Sequence, residues 1–425
     1  MQVGDTANAD KRPDFAAGSE VRFPGRDGSS VPFEVYSSKE IYDLEQERIF
    51  RGPTWNYLAL EAELPEPGDF KSTFVGDTPV VVTRTPEGDF AAWVNRCAHR
   101  GAIVCREKRG NAKSHACIYH QWSYNAHGDL EGVPFRRGVQ GVAGMPGSFD
   151  PKQNGLRKLR VASYKGLLFA SFSDEVAPLT DYLGERMLPG IDRIFHKPIE
   201  FLGATRQYIH GNWKLYMENV RDGYHASLLH TFHATFNLVR SNQKARVIGD
   251  TSDLHTCGDL FITPDPSGAS DYKDIATFKD KLSLEYPQIV ENRQEFEELV
   301  ANHLQCIFPQ LVIMQIQNVL AVRQVLPKAP DEFELIFHFF GYADDSPEMR
   351  HHRVTQMNLV GAAGLISMED GTAIELVQDG IKSGPQGHSI ALMGLEAAEE
   401  DQERVPMAEN HIRRFWRGYQ RLMGF

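Results

Sequence analysis

Residues Cys97–His120 read CAHRGAIVCREKRGNAKSHACIYH, and these 24 positions hold three cysteines and three histidines. Such a set can be a structural zinc site, an iron–sulfur site, or buried thiols among solvated imidazoles. Two tight ligand-type pairs stand out, Cys97-Ala98-His99 and Cys117-Ile118-Tyr119-His120, with seventeen residues between them. Cys105 and His115 fit neither pair and are expected to be packing and surface residues.

Each pair is mixed. A Cys2His2 zinc finger keeps both cysteines in one pair and both histidines in the other. One cysteine and one histidine per loop is what a [2Fe–2S] cluster needs if one iron takes two thiolates and the other two imidazoles, the Rieske arrangement. Neutral imidazoles in place of thiolate anions raise the reduction potential, so such a cluster is a mild one-electron relay. A mixed zinc site and chance placement of two ordinary buried cysteines are the alternatives.

Working outward, the texture from about Trp55 to Phe172 is that of strands. TPVVVTRTPEGDFAAWVNRC is a hairpin signal around Pro86-Glu87-Gly88-Asp89, HQWSYNAHGDLEGVP is another turning at His127-Gly128-Asp129, and YKGLLFASF reads as a buried strand. The two ligand pairs therefore sit on loops beside hairpins in a small all-β module. Before it, residues 1–30 form a polar arm, and SSKEIYDLEQERIF predicts a helix capped by Ser37 or Ser38. After it come a helical stretch at LTDYLGERMLPGIDRIF, a helix from Asn212, an acidic helical segment over 279–304, buried strands at LVIMQIQNVLAVRQVLP and FELIFHFFGYA, and a C-terminal amphipathic helix.

Composition bounds the partners. The chain has 425 residues and a net charge of −12, which argues against nucleic acid or an anionic membrane surface as the main partner. No run reaches the roughly 18 apolar residues of a membrane span, and the N-terminus has no secretory apolar core. Five cysteines, with Cys257 and Cys306 far from the cluster, fit a reducing cytoplasm better than a disulfide framework.

A second cluster lies in NWKLYMENVRDGYHASLLH, residues 212–230. Asp222 and His225 are i, i+3 and would share a helix face. His225 and His230 are i, i+5, about 140° apart on an ideal helix, so they meet at one metal only if the helix ends or widens near Leu228–His230. Two histidines and one carboxylate on one face of an octahedral Fe(II) leave positions open for O2. GLISMEDGTAIELVQDG offers Glu369 and Asp370, of which Asp370 is chosen, and His233 rivals His230. The two clusters explain each other, since an Fe(II) oxygenase needs electrons and a one-electron relay needs an acceptor.

With C-x-H-x17-C-x-x-H and N-W-K-x-x-x-E-N-x-x-D-x-Y-H-x-x-x-x-H in hand, the chain resembles the large (alpha) subunits of Rieske non-haem iron ring-hydroxylating oxygenases. It looks closest to those acting on benzoate-type acids: anthranilate, salicylate and terephthalate. The resemblance implies an α+β fold: an arm and helix over 1–53, an all-β Rieske [2Fe–2S] domain over 54–172, and a catalytic domain over 173–425 whose antiparallel sheet is flanked by helices. It implies that Cys97 and Cys117 hold one iron of the cluster and His99 and His120 the other. His225, His230 and Asp370 then hold a mononuclear Fe(II). Asp222 would carry electrons from His120 of a neighbouring subunit in a head-to-tail α3 or α3β3 ring.

The implied activity is hydroxylation of an aromatic carboxylic acid with O2 and two electrons. A terephthalate-type ring dioxygenase, a homotrimeric monooxygenase or demethylase, and a Rieske electron carrier without catalysis are the alternatives. No G-x-G-x-x-G follows a strand, so a separate NAD(P)H reductase, with or without a ferredoxin, is implied, and a small beta subunit is expected. An anionic substrate needs a buried, bidentate cation, and Arg323 in QNVLAVRQVLP is the candidate.

Overall fold

The computed structural model describes residues 21–262, 266–279, 281–395, 403–404 and 407–425. Residues 1–20 of the expected arm lie outside the described residues. Ser38 caps the first helix: its hydroxyl accepts a hydrogen bond from the Ile41 amide at 3.2 Å, and the helix Lys39–Glu45 follows.

The first β layer is a seven-stranded antiparallel sheet in the order Asn56–Leu60, Leu167–Ser171, Lys158–Tyr164, Phe90–Val94, Thr78–Arg84, Asp69–Val75 and Arg109–Asn111. The hairpin expected at Pro86–Asp89 joins its fourth and fifth members, with Gly88 at φ +92°. The second expected hairpin belongs to a separate three-stranded sheet, His115–Ala116, Ser123–Tyr124 and Leu130–Gly132. Its turn needs Gly128, at φ +78°, where a Cβ would stand 3.0 Å from the Trp93 ring.

The second layer is an eight-stranded antiparallel sheet ordered Ile199–Ile209, Glu332–Tyr342, Val319–Ala329, Leu311–Ile316, Val300–Ile307, Thr256–Phe261, Ala245–Gly249 and Glu403–Arg404. The apolar runs expected to be buried strands are so: Leu311–Ile316 is buried throughout. The helices Pro347–Val360, Leu365–Ser383 and Asn410–Met423 flank this sheet. LTDYLGERMLPGIDRIF forms two short helices, Leu179–Leu183 and Leu188–Ile194, broken at Gly184, which sits at φ +81°.

The two layers share their apolar contacts. Tyr57 and Phe169 of the first sheet pack in one buried cluster with Val322 and Phe340 of the second. Leu58 and Val80 join Trp213, Val325 and Trp416 in another. Burying an aromatic or large aliphatic side chain contributes about 1.5–3 kcal/mol, so separating the layers would be costly.

One expected element does not form. Among its described residues the acidic segment 279–304 has no α-helix: a 3-10 turn at Pro287–Val290 precedes an extended run into the strand Val300–Ile307. Pro287 removes an amide donor that a helix interior would use. The acids have other work: Glu295 pairs with the buried Arg353, and Glu298 Oε2 stands 2.8 Å from Arg246 Nη2. Tertiary ion pairs override the local propensity.

Candidate active site: a Cys/His loop pair and a two-histidine, one-carboxylate cluster

The two Cys/His loops are built alike. The Gly101 amide donates to the Cys97 carbonyl at 2.9 Å and the Gln121 amide to the Cys117 carbonyl at 2.8 Å, each closing one turn. In the same way the amides of Cys97 and Cys117 donate to the carbonyls of Ala102 and Trp122. These turns bury both thiols, and neither is in a disulfide. They bring the rings of His99 and His120 to 4.6 Å, inclined at 68°.

Tyr124 holds the first loop: its hydroxyl lies 3.2 Å from Cys97 Sγ and accepts the Ala98 amide at 3.1 Å. Trp122 stacks on His99 at 4.7 Å and 6°. His99 Nδ1 is buried and has no hydrogen-bond partner. Burial and the neighbouring His120 lower the His99 pKa, favouring the neutral imidazole that a metal takes. Two buried thiols and two adjacent imidazoles, carried by two turns built alike, fit a [2Fe–2S] group.

The other candidates in this stretch do not converge with them. Cys105 accepts the Ser72 hydroxyl at 3.4 Å, while His115 packs edge-on to Phe70 and Trp93. His115 is thus buried, not the surface residue the sequence suggested.

The N-W-K of the second motif is an anchor. Asn212 caps the helix Trp213–Asn219, its side chain accepting the Lys214 amide at 3.0 Å. Trp213 Nε1 donates to Glu45 Oε2 at 2.8 Å, and Lys214 Nζ meets Glu45 Oε1 at 2.6 Å with both side chains fully buried. The N-terminal helix thereby fixes the helix that ends at Asn219.

That helix stops earlier than expected. Asp222 and His225 do not share an α-helical face: a turn follows Asn219, the Tyr224 amide donates to Asp222 Oδ1 at 2.8 Å, and His225–Ser227 is a single 3-10 turn. His230 sits outside helical geometry at φ −88°, ψ 66°, just before the short helix Thr231–Thr235. The required irregularity near Leu228–His230 is present, and it begins at Val220.

The break lets the histidines converge. His230 Nε2 lies 3.1 Å and His225 Nε2 3.4 Å from the same oxygen, Asp370 Oδ1, carried by the helix Leu365–Ser383. The ligand atoms of these three residues all lie within 4.8 Å of one another. Asn219 Nδ2 donates to that oxygen at 3.0 Å. Each histidine has a carboxylate behind it, Asp222 Oδ2 3.2 Å from His225 Nδ1 and Glu369 Oε2 2.8 Å from His230 Nδ1. Outer carboxylates of this kind fix the ring and raise its basicity as a ligand.

Glu369 thus stands behind His230 and Asp370 at the shared point. His233 turns its Nδ1 to the Ala226 carbonyl at 2.9 Å and stays outside the group. Burial alone would disfavour charge on His225, yet Asp222 and Asp370 outweigh it and raise its pKa to about 10. The Asp370 carboxyl is held far below the ordinary range by the two imidazoles, against its burial. A carboxylate and two imidazoles converging on one point fit a divalent iron, which takes the imidazoles in their neutral form.

A second set of three potential ligands, Cys257, Asp259 and His303, is satisfied without a metal. Asp259 accepts from His303 Nδ1 at 2.6 Å and from Arg246 Nη2 at 2.6 Å.

A cavity of about 150 Å3 opens beside His225, His230 and Asp370, with an apolar wall that includes Val239, Leu260 and Ile316. A comparable cavity accepts a benzene ring. Arg323 reaches it from the strand Val319–Ala329. Its Nη1 donates to the Tyr216 hydroxyl at 2.9 Å, while Nε and Nη2 find only the Met314 thioether, at 3.1 and 2.7 Å. Arg221, which the sequence reading passed over, also lines the cavity, with Nη1 and Nη2 on the carbonyls of Met217 and Leu254. Among the described residues neither arginine has a carboxylate partner.

Two family models cover most of the chain: the Rieske [2Fe-2S] domain matches residues 54–143, and the ring hydroxylating alpha subunit (catalytic domain) matches 196–424. The chain belongs to the Rieske-type ring-hydroxylating oxygenase alpha subunits. As such an alpha subunit it is an oxidoreductase with a Rieske [2Fe–2S] cluster and a mononuclear non-haem iron, and O2 is its co-substrate.

The alpha subunit is 60% identical to the anthranilate 1,2-dioxygenase large subunit of Burkholderia cepacia, over 96% of each chain. It is 46% identical to the terephthalate 1,2-dioxygenase terminal oxygenase component subunit alpha 2 of Comamonas sp, over 96% of this chain and 98% of that one. For the salicylate 5-hydroxylase large oxygenase component of Ralstonia sp the values are 37%, 95% and 97%. The fold matches a crystal structure of naphthalene 1,2-dioxygenase from Rhodococcus sp. with a TM-score of 0.77 at 24% identity, over 93% of this chain and 94% of that one.

Proposed function

We propose that this alpha subunit hydroxylates the ring of an aromatic carboxylic acid of the anthranilate or salicylate type. The observation that carries the proposal is Arg323: a buried guanidinium that lines the same cavity as the three-ligand group, with a phenol and a thioether as its only hydrogen-bond partners among the described residues. A buried charge without a counter-ion is costly, and a substrate carboxylate supplies the missing anion by two parallel hydrogen bonds. The relatives named for anthranilate, terephthalate and salicylate all act on acids of this kind.

In this reading Cys97, Cys117, His99 and His120 hold the cluster, and His225, His230 and Asp370 hold the mononuclear iron. When bound, the cluster supplies electrons one at a time and the mononuclear iron activates O2. The chain's residues do the rest. Arg323 fixes the acid at one end of the cavity, the apolar wall keeps water from the ring, and Asp222 and Glu369 hold the two imidazoles in place.

The loop pair stands beside the hairpins of the first β layer, and the three-ligand group stands on turns and a helix of the catalytic part, so a ring of copies would set the loop pair of one chain against the three-ligand group of the next. Ile118 and Tyr119, beside His120, are 56% and 58% exposed, and Tyr224, beside Asp222, is 40% exposed. Packing the first against the second, in an α3 or α3β3 ring, would join the partner subunit's His120 to Asp222. Among the described residues no helix is long and apolar enough to cross a membrane. A separate ferredoxin or NAD(P)H reductase provides the electrons.

The test is a screen of anthranilate, salicylate, benzoate and terephthalate with reductase present, following O2 use and product together. One acid should give hydroxylated product in step with O2 consumed. O2 use without product from all four would overturn the proposal.

A further inference from the structure

The segment around the first cluster is charged opposite to the chain that carries it. Between Asn95 and His115 stand six arginines and lysines and one glutamate, in a protein of 45 basic and 57 acidic residues. Arg96, Arg100, Arg106, Lys108, Arg109 and Lys113 are all exposed. Arg96, Arg106, Lys108 and Lys113 form no ion pair among the described residues, and Arg109 only approaches Glu63 Oε2 at 3.7 Å.

This basic face is tied firmly to the cluster loop. Asn95, two residues before Cys97, accepts the amides of Val104 and Cys105 at 3.1 and 2.8 Å and donates to the Cys105 carbonyl at 2.7 Å. Ser72 donates to the Glu107 carbonyl at 2.8 Å, and Arg109–Asn111 pairs as a strand with Asp69–Lys71. Arg106 to Arg109 are therefore held in register with Cys97.

Beside the face, a cleft of about 780 Å3 opens between the two sheets. The acids on its floor are already engaged: Glu63 with Lys71 at 2.8 Å, and Glu334 with Arg206 and Lys328. His338 is buried there with no partner at Nε2. The surplus charge of the rim is left for something outside the chain.

The histidine side of the loop pair, with Ile118 and Tyr119, is the side assigned above to a neighbouring copy, so electrons must enter elsewhere. We propose that Arg106 and Lys108 at the rim of the cleft, with the exposed Arg96 and Lys113 of the same segment, form the docking face for an acidic one-electron donor protein, with the adjoining cleft receiving its edge. The inference rests on the oxygenase reading. At each encounter the donor is oxidised by one electron and the cluster is reduced by one, so two encounters serve one turnover. A positive face steers an acidic partner and makes its affinity fall with salt.

The test uses the Arg106→Glu/Lys108→Glu double variant of the full holoenzyme, with an acidic plant-type [2Fe–2S] ferredoxin as the probe. Its dissociation constant is measured calorimetrically between about 20 and 300 mM salt, where screening changes strongly. At low salt the variant should bind about tenfold more weakly. The wild type should weaken as salt rises, until the two converge. Lys113→Glu should give a smaller shift in the same direction. The visible cluster spectrum, the native mass and the product of one turnover after chemical reduction should match the wild type. An unchanged dissociation constant would overturn the proposal, and so would a lower native mass, which would make the face a subunit contact. Failure of the chemically reduced wild type to form product would overturn the oxygenase reading instead and leave the docking result standing.

Discussion

Asp222 Oδ2 lies 3.2 Å from His225 Nδ1, behind the ring whose Nε2 faces Asp370. One imidazole thus touches both the three-ligand point and a carboxylate at the edge of the site, a geometry suited to positioning a ligand and joining it to what lies beyond.

Replacing Asp222 by Asn keeps the shape and removes the charge. Iron content and the cluster spectrum should survive, while turnover coupled to O2 falls by about 10- to 100-fold. Coupled product formation and O2 electrode traces check this, and normal turnover would exclude the linking role.

Arg323→Ala should weaken an aromatic acid by about 10- to 100-fold in KM, the size of a lost hydrogen bond to a charged group. A neutral ring analogue should be little affected. Equal loss for both would mean that Arg323 supports the wall of the cavity instead of reading the carboxylate.

Glu45→Gln should lower stability by about 3–5 kcal/mol, because it leaves the fully buried Lys214 ammonium without its counter-ion. The midpoint of thermal unfolding reports it. Glu45 also receives Trp213 Nε1, so the helix leading to Asn219 should loosen and iron should be lost more readily on chelation.

Glu218 links stability to pH. Burial raises its carboxyl to about 8, against the opposing effect of the Tyr36 hydroxyl, which donates to it at 2.5 Å. The folded chain therefore holds a proton there that the unfolded chain, with its ordinary carboxyl, has lost at neutral pH. The contribution is fully present below the unfolded value and disappears as pH rises through about 8. The melting temperature should fall between about pH 5 and 8, and Glu218→Gln should flatten that slope. An equal slope in both proteins would contradict the assignment.

How much of this was legible in the sequence varied with how local each feature is. The Cys97, His99, Cys117 and His120 loops are short turns closed by their own backbone, so the mixed pairs could be picked out from spacing alone, and the rings of His99 and His120 do meet. The i, i+5 spacing of His225 and His230 required a broken helix, and the break is there. Glu369 and Asp370 were harder, since neighbours on a helix point about 100° apart and either could face inward. Only the packing of Leu365–Ser383 against the sheet buries Asp370 and leaves Glu369 to His230. The acidic run before Val300 misled, because its acids serve Arg353 and Arg246, residues distant in sequence. Arg221 was passed over because nothing local marks a buried arginine whose partners are backbone carbonyls.

The most direct test of the account is iron analysis of purified Asp370→Ala beside the wild type. The wild type should hold about three irons per chain, two in the cluster and one at His225, His230 and Asp370. The variant should hold about two, with its visible cluster spectrum unchanged. Three irons in both proteins, or loss of the cluster spectrum with the third iron, would contradict the assignment of these residues to a separate mononuclear site.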